Sequence, residues 1–173
     1  MIFGMSLRAY TQLHVLISLA AIGSGLIVIY GMLTAKRLDG WTSFFLVTTM
    51  LTSVTGFGFP FMGLTPGIKI GIISLAVLGI AYIARYARHL AGGWRTTYVI
   101  TAAIALYLNV FVFVVQSFEK VPALRAIAPT QKEPPFAITQ IAVLVASVWL
   151  TILAVRRFHP AIAPVPKSLG KAA

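Results

Sequence analysis

The stretch ALYLNVFVFVVQSFE at residues 105–119 is an apolar segment that nevertheless carries amide side chains. Asn109 and Gln116 are seven residues apart, so a helix places them on one face, which Ala105 and Ala102 continue. An amide facing lipid would be costly, because the hydrocarbon offers it no hydrogen-bond partner. We therefore expect a membrane helix whose amide-bearing face points into a bundle of further helices.

The composition of the whole chain is that of a membrane protein. Of its 173 residues 59% are hydrophobic and only 10% are charged, against about 25% charged residues in soluble domains. Lys and Arg number 14 against three acids, which gives a net charge of +11. Because the basic residues lie between long apolar runs, membrane topology explains them, and we do not expect nucleic acid as a partner. The absence of cysteine excludes disulfides, thiolate metal sites and cysteine nucleophiles.

Apolar runs long enough to cross the bilayer predict the fold class, since about 20 helical residues span the hydrocarbon core. The connections between them are mostly short, which is typical of antiparallel neighbours in one bundle. The first run is too long for the apolar region of a signal peptide, so we expect it to be retained. The sequence therefore predicts an all-α, polytopic bundle of five transmembrane helices, followed by a disordered cytoplasmic tail at 160–173. The predicted spans are 10–34, 43–64, 68–87, 96–118 and 136–158.

Loop charges predict the orientation of this bundle, because cytoplasmic loops carry an excess of Lys and Arg. Five spans would place nine basic residues on the side of the C-terminus and five on the side of the N-terminus. We therefore expect a multi-pass inner-membrane protein with its N-terminus outside and its C-terminus in the cytoplasm. The first group is Lys36, Arg37, Arg85, Arg88, Arg95, Arg156, Arg157, Lys167 and Lys171, and the second is Arg8, Lys69, Lys120, Arg125 and Lys132.

Polar side chains at similar depth predict a candidate site near the outer surface. With a rise of about 1.5 Å per residue, His14, Gln116 and Gln140 each lie roughly one turn inside the membrane. Thr55 lies at a comparable depth and Glu119 at the mouth, while Asn109 continues the face of Gln116 more deeply. These groups form a candidate ligand or proton site, because ionisable residues inside membranes are commonly functional. The alternative is that they only bond across helices, at about 0.6 kcal/mol per contact.

At the opposite surface, basic and aromatic residues predict a belt that contacts lipid headgroups. Arg85, Arg88 and Arg95 lie near Trp94 in the sequence ARYARHLAGGWR. Such clusters at the ends of membrane helices commonly bind anionic headgroups. We expect this belt to contact the lipid bilayer.

Other site chemistry receives less support from the sequence. His14 is the one histidine within a predicted span, whereas His89 and His159 belong to the opposite surface, so two histidines of one chain would not ligate the same haem. Haem b held by His14 with another ligand, or by His14 of two copies, stays open. The acids and His14 do not form the clustered ligand set of a metal site, and no sequence pattern of a catalytic nucleophile is found. We expect neither a metal nor a catalytic residue.

Three segments carry a resemblance to a known group of proteins. They are WTSFFLVTTMLTSVTGFGFPF at 41–61, LYLNVFVFVVQSF at 106–118 and APTQKEPPF at 128–136. The chain resembles a family of small, multi-span bacterial inner-membrane proteins with no known activity. The resemblance implies a bacterial inner membrane and nothing about function.

The expected function follows from the small size of the chain and its lack of catalytic groups. We expect a non-enzymatic accessory or assembly partner of an inner-membrane complex, with other membrane subunits or a second copy as partners. The first alternative is an outward-facing site for a small lipophilic ligand such as a quinone, or for protons. The second alternative is haem b binding through His14.

Overall fold

The computed structural model describes residues 4–59 and 66–159, which form helices and turns without a β-strand. The all-α prediction is therefore confirmed. The predicted disordered tail lies outside the described residues, as does the end of the predicted second span. The elements are α1 (Leu7–Leu33), α2 (Asp39–Gly56), α3 (Pro66–Tyr82), a π-helical turn (Ile83–Ala87), α4 (Gly93–Lys120), α5 (Pro122–Ile127) and α6 (Pro134–Arg157).

Proline opens three of these helices. Pro66, Pro122 and Pro134 are the first residues of α3, α5 and α6. Proline suits this position, because its φ angle is already helical and the first residue of a helix has no intrahelical use for an N–H. The start of α1 is fixed differently, by the side chain of Ser6, which accepts a hydrogen bond from the N–H of Ala9 at 3.2 Å.

Four helical segments of the described chain are long and apolar enough to cross a membrane. They are α1 with 27 residues, α3 with its π-helical turn (Gly67–Ala87, 21 residues), α4 with 28 and α6 with 24. The prediction of a multi-pass membrane protein is confirmed. Helix α2 has 18 residues, begins with Asp39 and is rich in hydroxyl side chains, and it is not among the segments apolar enough to cross a membrane. That α2 and the residues after it form a fifth span stays a prediction.

Helix α4 lies at the centre of the bundle and contacts all the other helices. Ala102 and Ala105 are buried, and these small side chains let the neighbouring backbones approach closely. On the same face, Nδ2 of Asn109 donates a hydrogen bond to Oγ1 of Thr49 in α2, at 3.2 Å. The prediction that this face of the helix points into the protein is confirmed for Ala102, Ala105 and Asn109.

A glycine contact joins α1 to the centre of the bundle. A Cβ atom on Gly25 would lie 2.6 Å from Cδ1 of Leu106 and 2.8 Å from Cε2 of Phe45. Real Cβ atoms do not approach other atoms so closely, so the absence of a side chain lets α1 pack here against both α2 and α4. By contrast, α6 lies at the edge, and Ala154 is its one buried residue.

The order of the helices defines two ends of the bundle. The beginnings of α1, α3 and α6 and the ends of α2 and α4 lie at one end, which we call the His14 end. The opposite end contains the π-helical turn, and we call it the Arg85 end. There the guanidinium group of Arg95 holds the end of α6 by donating to the backbone carbonyls of Val155 and Phe158.

Candidate functional site

Two groups of polar residues lie at the His14 end, and the first joins α1 to α2. Nδ1 of His14 lies 2.8 Å from Oγ1 of Thr55. One turn earlier, the hydroxyl of Tyr10 donates to the backbone carbonyl of Thr55 at 2.7 Å. The ring of Phe59 packs edge-on against the rings of both Tyr10 and His14, with centroids 5.1 and 5.3 Å apart. The end of α2 is thus fixed against α1 around the imidazole.

The hydrogen bonds of Thr55 indicate which nitrogen of His14 carries the proton. Its hydroxyl lies 2.6 Å from the carbonyl oxygen of Leu51, and donation to a carbonyl four residues earlier is common for threonine in helices. A hydroxyl has one hydrogen, so Oγ1 of Thr55 then accepts from Nδ1–H of His14. In the neutral ring this leaves Nε2 as an acceptor, and no residue of the described chain donates a hydrogen bond to it.

The second group lines a cavity between α3, α4 and the connection from α4 to α6. The cavity has a volume of about 740 Å³, within the usual range of about 300–1,000 Å³ for ligand sites. The lining residues nearer the middle of α4 are apolar, and we call them the floor; those nearer the His14 end are mostly polar or charged, and we call them the mouth. The lining residues are Gly67, Ile70, Phe111, Val112, Val115, Gln116, Phe118, Glu119, Lys120, Arg125, Pro129, Thr130 and Gln131.

One hydrogen bond and a small apolar cluster hold the connection against α4. Nε2 of Gln131 donates to the carbonyl of Val115 in α4, at 3.0 Å. Below it, the buried residues Val114, Phe118 and Ala128 pack together with the partly buried Leu124. The connection therefore forms a wall of the cavity.

A hydrogen-bonded turn precedes α6 on the same side. One oxygen of the Glu133 carboxylate accepts hydrogen bonds from the hydroxyl and the N–H of Thr130, at 2.8 and 3.2 Å, and the other accepts from the N–H of Lys132 at 3.0 Å. Desolvation raises the pKa of Glu133, but these hydrogen bonds outweigh it and the pKa is lowered overall. The turn is thus stabilised by an ionised carboxylate.

The predicted site residues divide among three places. Gln116 and Glu119 line the cavity, and Nε2 of Gln116 donates to Oε2 of Glu119 at 3.3 Å. His14 and Thr55 pair between α1 and α2 and are not among the residues that line the cavity. The structure therefore brings the predicted groups to one end of the bundle without joining them in one pocket.

The remaining two predicted residues hold helices together. Asn109 bonds α4 to α2 through Thr49, as described above. Nε2 of Gln140 donates to the backbone carbonyl of Phe111 at 3.3 Å, which bonds α6 to α4. Oε1 of Gln140 is buried and accepts no hydrogen bond from the described residues. These two amides act as interhelical contacts.

At the Arg85 end, the residues of the predicted headgroup belt have different surroundings. The side chain of Arg85 is only 4% exposed, forms an ion pair with Asp39 and lies over the ring of Tyr98, 5.1 Å from its centroid. Arg95 is engaged with the carbonyls at the end of α6. Arg88 is exposed and lies over the ring of Trp94, at 5.2 Å. Of the three arginines, Arg88 is the one whose surroundings suit a headgroup contact.

Sequence reasoning missed two features of these ends. The first is the pair of Arg85 and Asp39, although a single acid among the basic residues of that side was a usable signal. The second is the contribution of Lys120, Arg125, Thr130 and Gln131 to the cavity. The path of an irregular connection leaves no periodic pattern in the sequence. The sequence therefore contained no comparable signal for these four residues.

The positions of the acidic residues and histidines bear on metal and haem binding. Within residues 4–59 and 66–159 no three residues among His, Cys, Asp and Glu are grouped as a metal site would require. His89 follows the π-helical turn and His159 follows α6, so both lie at the Arg85 end, across the bundle from His14.

Comparison with protein-family models, curated proteins and solved structures finds no significant match to this chain.

Proposed function

We propose that this membrane protein binds a small amphiphilic molecule in the cavity between α3, α4 and the connection that contains α5. The observation that carries this proposal is the mixed lining of the cavity, apolar at its floor and charged at its mouth. Ile70, Phe111 and Val115 would contact the apolar part of the ligand. Gln116, Lys120 and Arg125 lie where a polar part would be placed. This is the lipophilic-ligand alternative from the sequence, with the cavity residues in place of His14.

The cavity is proposed to face outwards from an inner membrane. Its support is the distribution of charge, since the Arg85 end carries more Lys and Arg than the His14 end even without the tail. The lack of native cysteine makes a direct test simple. A single cysteine at Lys132 should react with a membrane-impermeant maleimide in intact cells, whereas one at Arg156 should react only after lysis. The reverse pattern would invert the topology and place the cavity towards the cytoplasm.

Photocrosslinking with a neutral amphiphile tests the binding site. Hexadecanol carrying a diazirine on its chain is added to the protein in nanodiscs, and labelled peptides are identified by mass spectrometry. We expect labelling within residues 111–120. Val112→Trp should reduce it severalfold by filling the cavity, whereas Val148→Trp, at an exposed position of α6, should not. Labelling confined to the exposed face of α6 would contradict the proposal.

The accessory or assembly role is a second candidate. It is supported by α6, which has one buried residue in 24 and an exposed apolar face that includes Ile138, Val145 and Trp149. Another membrane subunit or a second copy would cover such a face, although lipid covers it equally well. Purification in a mild detergent tests this role, because a partner should arrive in a fixed stoichiometry. Trp149→Ala should weaken that association.

Haem b binding through His14 is the third candidate. Its support is the Nε2 atom of His14, to which none of the described residues donates a hydrogen bond, since a ligating histidine commonly donates from its other nitrogen to a fixed acceptor. Protein purified from haem-replete cells should then show a Soret band that His14→Ala removes. A spectrum without that band would exclude this candidate.

A further inference from the structure

We infer that the ligand of the cavity is an amphiphile with an anionic headgroup, a carboxylate or phosphate, bound by Lys120 and Arg125. This inference rests on the proposed function and specifies its ligand class. It departs from a neutral quinone, which the sequence alone made the leading example of a lipophilic ligand.

The charges at the mouth of the cavity are unbalanced. Lys120 ends α4 and Arg125 lies on α5, so the break between the two helices places one cation on each, and both side chains are exposed. Across the part of the chain that the structure describes, both ion pairs involve Asp39 at the opposite end. Lys120 and Arg125 therefore have no acidic partner there. The acid in the lining, Glu119, instead accepts a hydrogen bond from Gln116.

Each neutral polar side chain of the lining donates one hydrogen bond within the protein. The amide of Gln116 donates to Glu119, the amide of Gln131 to the carbonyl of Val115, and the hydroxyl of Thr130 to Glu133. Each amide keeps a second N–H that could donate to a neutral ligand, but an amide carries no charge that would favour an anion. The two cations can donate charge-assisted hydrogen bonds to an anionic headgroup, and these are roughly twice as strong as bonds between neutral groups.

The surrounding charge supports the same ligand. Lys69 and Lys132 are exposed at the His14 end, each next in sequence to a lining residue. They add positive potential around the mouth, which attracts anions by long-range electrostatics. Because they do not line the cavity, they also provide a matched control for the two cations that do.

A pair of probes that differ only in the headgroup tests the inference. Diazirine-labelled palmitic acid and the corresponding hexadecanol are compared in nanodiscs at alkaline pH, where the carboxyl group is ionised and Arg125 keeps its charge. We expect the acid to label residues 111–120 about fivefold more than the alcohol, the effect of an ion contact at a partly exposed site. The double variant Lys120→Gln with Arg125→Gln should bring this ratio close to one while alcohol labelling persists, which shows that the cavity is intact.

The control variant, Lys69→Gln with Lys132→Gln, should keep most of the preference for the acid. Equal labelling by both probes in the wild type would overturn the inference but leave the proposed function standing. A ratio that falls equally in both double variants would also overturn it, since the preference would then come from diffuse surface charge. Labelling of the cavity by neither probe would reject the proposed function itself.

Two further experiments distinguish a membrane phospholipid from a free anion as the source of the headgroup. Diazirine-labelled phosphatidylglycerol should label the same residues if the ligand is a membrane phospholipid. Inorganic phosphate in excess should compete with the acid if the headgroup alone is recognised. In each arm the labelling should depend on Lys120 and Arg125, and independence from both residues would contradict the inference.

Discussion

Nδ1 of His14 and Oγ1 of Thr55 lie 2.8 Å apart, and this contact determines what the imidazole can offer to a ligand. Because the hydroxyl hydrogen of Thr55 is directed to the carbonyl of Leu51, the ring donates from Nδ1 and keeps Nε2 as an acceptor. A histidine fixed in this way can accept a proton or ligate a metal through a single, defined atom.

Thr55→Val should remove the preference of His14 for the Nδ1–H tautomer. The variant removes the acceptor of Nδ1–H while preserving the shape of the side chain, so we expect the Nε2–H form of the neutral ring to become populated. The ring nitrogens of ¹⁵N-histidine-labelled protein report the protonated atom directly by NMR. Thr52→Val is the control, because its hydroxyl donates to the carbonyl of Thr48 and does not bond to His14. A neutral wild-type ring protonated on Nε2 would contradict the assignment.

Gly25→Ala should destabilise the bundle, because its new methyl group would overlap Leu106 and Phe45. Overpacking of this kind costs about 1–3 kcal/mol. Gly23→Ala is a close control, since a Cβ at that position meets no atom within 4 Å and alanine favours the helix by about 0.5–1 kcal/mol. Unfolding in mixed micelles of increasing SDS content gives the free energy of unfolding of each variant. Equal stability of both variants would show that α1 packs elsewhere.

The carboxylate of Glu133 should make the turn before α6 sensitive to acid. Hydrogen bonds to Thr130 and Lys132 lower its pKa in the folded protein. Its stabilising contribution is therefore complete above the unfolded pKa and is lost as the pH falls through the lower, folded value. Thr130→Val should raise the pKa of Glu133 towards its ordinary value, which ¹³C NMR of the carboxyl group measures. Thr139→Val, in α6 and away from the turn, should leave it unchanged.

The sequence predicts the helices and their depth but not their arrangement around the bundle axis. Hydrophobic runs and a fixed rise per residue place His14, Gln116 and Gln140 at one level. Which of them meet depends on how each helix is rotated and on which neighbours it packs against, and these follow from side-chain volumes at many contacts. The face of Asn109 was predictable because one helix carries both the amide and the alanines that let a neighbour approach.

The partners of the charged residues were the hardest to predict, because they too depend on how the helices pack. Lys120 and Arg125 both line the cavity because the chain turns between α4 and α5. Arg85 reaches Asp39 from a π-helical turn. Such turns contain one extra residue and are set by tertiary contacts that leave no periodic signature. Loop charge counts indicate on which side of the membrane a residue lies, and only the packing shows its partner.

The ion pair between Arg85 and Asp39 should be the strongest polar coupling at its end of the bundle. The Arg85 side chain is 4% exposed and that of Asp39 is 62% exposed, so removing the carboxylate leaves a buried guanidinium without its acid. We expect Asp39→Asn to lower the free energy of unfolding by about 2 kcal/mol, which is less than the cost of breaking a fully buried pair. Arg37→Gln removes the exposed partner of Asp39 and should lower it by less than about 1 kcal/mol. A double-mutant cycle with Arg85→Gln, measured by the same SDS unfolding, isolates the coupling. If the effects of Asp39→Asn and Arg85→Gln simply add, the pair does not hold α2 to the π-helical turn, and the rings of Tyr86 and Tyr98 beside Arg85 would account for its position.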